Sequence, residues 1–145
     1  MADGLERLLN YLAEREIIHQ EQKEVQLSAG PREPAETVVA NQQIVRERER
    51  ERVAELGPAF AAGLRRAYAV RRGGQATLVL DDRRADENAM ADALIQFLVR
   101  PDLAASHTDQ TEPNHYAYHV TVDWARLAQL AAEAGLDLDA ELTRP

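Results

Sequence analysis

Seven consecutive ionised side chains, Arg46-Glu47-Arg48-Glu49-Arg50-Glu51-Arg52, cannot all enter the core of a small protein, because each buried charge needs a partner and satisfied hydrogen bonds. The segment must face solvent or another molecule. Its alternation has the period of a strand, which would set four arginines on one face and three glutamates on the other. Propensity argues the other way. Arg and Glu favour helices over strands, and the flanking Val38, Val39, Ile44, Val45, Val53, Leu56 and Phe60 recur at spacings closer to three, four and seven than to two. The run is therefore read as helix. There, i,i+3 pairs such as Arg46 with Glu49 attract and i,i+4 pairs such as Arg46 with Arg50 repel, each by about 0.2–0.5 kcal/mol, so the charges nearly cancel. Packing of Val45, Val53 and Leu56 has to hold the helix.

A chain of 145 residues with 45% hydrophobic content can bury one core of ordinary size. Cysteine is absent, which excludes a disulfide framework and a thiolate metal site. Met1 to Glu6 shows no basic and apolar leader pattern, and no run of about 18 apolar residues occurs, so a cytoplasmic location without membrane contact is expected. The net charge of −8 is unevenly spread: residues 1–36 carry −4, residues 37–75 carry +4 and residues 76–145 carry −8. A basic middle between acidic ends suits internal or intersubunit complementarity.

Asp3 and Glu6 make a capping-box start for a helix running to about Val25. Leu5, Leu8, Leu9 and Leu12 form one apolar stripe on it, and Tyr11, Ile18 and Val25 form another at seven-residue spacing. Two apolar sides imply neighbours on both, either the C-terminal half or a second subunit. Ser28 to Pro34 is a loop. The second helix starts at about Pro34 or Glu36, and Gly57-Pro58 is expected to kink or restart it, because proline removes a donor and crowds the Ala54 carbonyl. Phe60, Leu64, Ala67 and Tyr68 continue as an apolar stripe until Gly73-Gly74.

The C-terminal half changes period. Ala76 to Leu80 reads as a short buried strand closed by Asp81-Asp82, and residues from Asp86 to Val99 read as a helix stopped by Pro101. His115 to Asp123 alternates as a strand, with Tyr116, Tyr118, Val120 and Val122 expected on its buried side. Glu112-Pro113-Asn114 looks like a turn, and Ser106 to Thr111 like a polar hairpin partner. Asp123 caps a last helix ended by Gly135. The fold class is α+β. Residues 1–75 form a helical hairpin and oligomerisation region, and residues 76–145 a small β-α-β-α subdomain with two strands, or three if an edge strand precedes the last one, within one cooperative domain. So small a sheet invites pairing across a dimer.

Residues suited to chemistry are few. Asp81, Asp82, His115 and His119 form a weak candidate for a metal-dependent enzyme site. Spacing opposes its simplest version, since His115 and His119 on one strand stand about 13 Å apart at ~3.3 Å per residue and cannot share an ion. A site joining His107 to His115 or His119 across a hairpin is the other arrangement. Aspartates at strand ends are, however, mostly caps and turn residues. Trp124 at a strand-to-helix junction reads as a core or hinge anchor. A nucleic-acid-associated role would rest on Arg65, Arg66, Arg71 and Arg72 contacting phosphates, but interleaved glutamates and the lack of an aromatic stacking pattern weigh against it. The favoured expectation is a non-enzymatic interaction or assembly module without cofactor, a homo-oligomer and most simply a dimer, also suited to a larger protein complex. Arg46, Arg48, Arg50 and Arg52 would give its surface specificity and Val45, Val53 and Leu56 affinity.

Overall fold

Leucines at positions 5, 8, 9 and 12 demand a partner surface, and they find it along the second half of a very long helix. The structure, a computed structural model, describes residues 4–27 and 35–143, with side chains described over 4–19 and 42–143. The expected Asp3 cap, the loop at 28–34 and the side chains of Val25, Val38 and Val39 lie outside the described residues. Helix α1 spans Gly4–Leu27 and α2 spans Ala35–Val70. Then follow β1 (Gln75–Asp81), α3 (Ala85–Leu94) running directly into a π-helical turn (Ile95–Val99), β2 (Ala104–Glu112), β3 (His115–Asp123), α4 (Trp124–Glu133) and α5 (Leu138–Thr143). The fold is α+β, a three-stranded antiparallel sheet packed against helices. No helix among the described residues is long and apolar enough to cross a membrane.

At 36 residues, α2 is roughly 54 Å long at 1.5 Å per residue. It runs through Gly57-Pro58 without the expected restart. Proline costs a helix interior about 3 kcal/mol through its lost hydrogen bond and ring clash. Here Pro58 and Ala54 both lie on the solvent side, where water can satisfy the freed carbonyl. Val53 before the proline, and Phe60 and Leu64 after it, enter one buried cluster. Packing on both sides thus keeps the helix continuous where local sequence would break it.

The sheet order is β1-β3-β2, so β3 is central and pairs antiparallel with both neighbours. Ala76, Leu78 and Leu80 of β1 pair with Val122, Val120 and Tyr118 of β3, and this face meets the helices. Phe60 stands edge-on to Phe97 with ring centroids 6.0 Å apart. The π-turn, closed by a bond from Arg100 N to Ile95 O of 3.1 Å, lets Phe97 and Leu98 enter the core together. Gly63 makes a close approach possible: a Cβ there would lie 3.1 Å from Leu94 Cδ1. Among the described residues no helix covers the opposite sheet face, and Val79 on it is 58% exposed.

At the chain's end, Asp123 accepts a hydrogen bond from Arg126 N (3.1 Å) and so caps α4 as expected. Gly135, at φ 78°, turns the chain out of the helix. Helix α5, not anticipated, buries Leu138 and Leu142. Trp124 is buried, its indole N–H 3.4 Å from Asp139 Oδ1. Tyr11 is settled by the chain itself, its hydroxyl donating to Glu133 at 3.2 Å. Ile18 on the same stripe stays exposed.

Candidate functional site

The charged ladder divides between structural and free positions. Arg46 reaches across the helical hairpin to Glu14 of α1 at 2.8 Å. Arg52 bonds Glu49 at 2.9 Å, donates to Gln96 and lies 5.4 Å over the Phe97 ring. Both ends of the ladder therefore tie α2 to its neighbours. Between them Glu47, Arg48, Arg50 and Glu51 are exposed.

The apolar residues assigned to the same surface also separate. Val53 is only 8% exposed and belongs to the core, so it cannot face a partner. Leu56 is half-buried against that core. Val45 remains available at 39% exposure, and its neighbour Ile44 at 47%. Helical spacing puts Ile44, Arg48, Glu51 and Glu55 on one exposed stripe.

The four arginines considered for phosphate contact do not form one open patch. Arg66 stands 3.4 Å from Glu87 and 3.6 Å from Asp86. Glu87 is a buried acid that also accepts from Asp81 N, so Arg66 answers an internal charge. Arg71 bonds Asp139 at 2.9 Å and stacks 4.2 Å from Tyr68. Arg65 and Arg72 are exposed, with the Arg72 backbone pairing Gln75 in the turn before β1.

The Asp/His set is likewise split. Asp81 accepts from Arg83 at both carboxylate oxygens, and these hydrogen bonds from the Arg83 side chain and then its backbone hold its pKa below the ordinary carboxylate value. The same contact raises the pKa of Arg83, whose guanidinium also reaches Glu112 at 3.3 Å. Asp82 faces His115 at 3.5 Å. His119 joins neither aspartate. Its Nε2 lies 2.9 Å from Asp109 Oδ2 on β2, and its ring stacks on His107 with centroids 4.3 Å apart and planes 8° from parallel. His107 Nε2 is 3.7 Å from the same Asp109 oxygen.

A register shift creates this trio. The turn at Pro113-Asn114, with Asn114 at φ 67°, joins Glu112 to His115 as paired neighbours. Counting back from that pair would set His107 opposite Val120, on the core face. An irregularity between Gln110 and Glu112 inserts one residue, so that His107 pairs with His119 and Asp109 with Ala117. His107 and Asp109 consequently stand with His119 on the uncovered face. The signal in the sequence was the His107-Thr108-Asp109 spacing, which shares one face of a strand, but its partner depended on the bulge.

Comparison of the chain with family models, curated proteins and solved structures gives no match.

Proposed function

We propose that the protein is a non-enzymatic assembly subunit of the cytoplasm whose helical hairpin pairs with a second copy of itself to form a dimer. The observation that supports this reading is the stripe Ile44, Arg48, Glu51 and Glu55 beside Val45, which combines exposed apolar side chains with charges of both signs. Under two-fold symmetry an antiparallel approach of two such stripes sets Arg48 of one copy against Glu51 of the other, twice over. An isologous interface requires this self-complementarity. Ile44 and Val45 supply the apolar contact and the charge pairs fix the register. A dimer built this way leaves the α/β body free at each end, as an accessory or scaffold subunit of a larger complex would need.

Sedimentation equilibrium at micromolar concentration tests the reading. Wild-type protein is expected to sediment as a dimer, and Ile44→Asp/Val45→Asp as a soluble monomer with unchanged circular dichroism. Dimers persisting in that variant would overturn it, as would a monomeric wild type. Val53→Asp is unsuitable as a test, because it buries a charge in the core and unfolds the chain whether or not it assembles.

A further inference from the structure

We infer that His107, Asp109 and His119 form a divalent transition-metal site on the uncovered face of the sheet. One ligand atom from each residue lies within 4.8 Å of the others. Around a tetrahedral ion with bonds near 2.0–2.1 Å, ligand atoms stand roughly 3.3 Å apart. The observed separations from Asp109 Oδ2, 2.9 Å to His119 Nε2 and 3.7 Å to His107 Nε2, bracket that value. The two rings stack with planes 8° from parallel, so closing the trio on one ion requires the imidazoles to turn until both nitrogens point at it.

The donor set selects the class of ion. Two imidazoles and one carboxylate suit zinc and its neighbours in the first transition row, whereas calcium and magnesium are hard ions that favour oxygen ligands over imidazole nitrogen. Three protein ligands leave at least one coordination position open, and the exposure of His107 and Asp109 directs it to solvent. The site is built on paired strands rather than loops: β3 is the central strand, and the bulge before Glu112 is the feature that brings β2 into register with it. His115 belongs to a different pair, with Asp82, and serves as an internal control.

The experiment is calorimetric titration of Zn²⁺ into the untagged full chain after treatment with a chelator. One ion per chain is expected. His107→Ala and His119→Ala should each weaken binding at least ~tenfold, Asp109→Asn should weaken it also, and His115→Ala should leave it unchanged. All four positions are exposed or half-exposed, and circular dichroism confirms that each variant is folded. Cobalt substitution gives a second readout, since visible absorption bands report a tetrahedral site. Absence of saturable binding to folded wild-type protein would overturn the assignment. So would equal affinity in wild type and His107→Ala/His119→Ala.

Discussion

The two halves of α2 follow different rules. From Phe60 to Ala67 the helix is driven by burial: Phe60, Leu64 and Ala67 are fully covered by α1, α3 and the sheet. From Ile44 to Glu51 the same helix presents charge and two exposed aliphatic side chains, held to its neighbours by Arg46 at one end and Arg52 at the other. The body thus tolerates a proline that local rules forbid, while the arm keeps helical propensity high and leaves its apolar residues uncovered. The contrast shows why one helix can serve both as a core element and as a candidate surface: its role changes where its neighbours end.

Core truncation should separate the halves most sharply. Phe60→Ala is expected to cost about 3–5 kcal/mol in chemical denaturation, because its ring fills the space against Phe97. Arg48→Ala should stay within ~0.5 kcal/mol when measured on the monomeric Ile44→Asp/Val45→Asp background. Equal costs would erase the distinction. A smaller effect of opposite sign is expected at the boundary. Pro58→Ala restores a donor to Ala54 at an exposed position, so it should stabilise the protein by about 1–3 kcal/mol. A loss of stability would mean that the proline ring makes a contact the packing requires.

The smallest effect belongs to Asp81. Its pKa is lowered in the folded protein by Arg83, so the unfolded chain binds protons more readily and the contact stabilises the fold above the ordinary aspartate pKa, about 3.9. That contribution disappears as pH falls through the lower folded value. Asp81→Asn should therefore differ slightly from wild type at neutral pH and converge with it in strong acid. Its partial exposure and solvent screening keep the difference small. A gap that widens in acid would contradict the assignment of Arg83 as the partner.

Much of the body was legible because burial leaves periodic traces. The alternation of His115 to Asp123 marked β3 to the residue, and the Leu5, Leu8, Leu9 and Leu12 stripe marked the buried side of α1. Tyr116 keeps its expected side of the strand but is 38% exposed there. Helix α5 escaped notice since six residues are too few to show a period. The continuity of α2 through Pro58 came from long-range packing that no local rule contains. At the candidate sites, the ladder was visible at once, but which arginines it would spend on Glu14 and Gln96 depended on tertiary placement. For the histidine–aspartate trio the sequence offered His107 with either His115 or His119 across a hairpin, but not the inserted residue that selects His119, since one step of register moves a side chain to the other face of a sheet.

The central claim, two-fold pairing through the arm, is tested most directly by measuring the weight-average mass of wild type, Arg48→Glu, Glu51→Arg and the combined Arg48→Glu/Glu51→Arg protein by sedimentation equilibrium. Each single reversal sets like charges together and should weaken the dimer, whereas the double reversal restores opposite signs and should recover it. A double variant that is as monomeric as the single ones, or single variants that remain fully dimeric, would contradict the account.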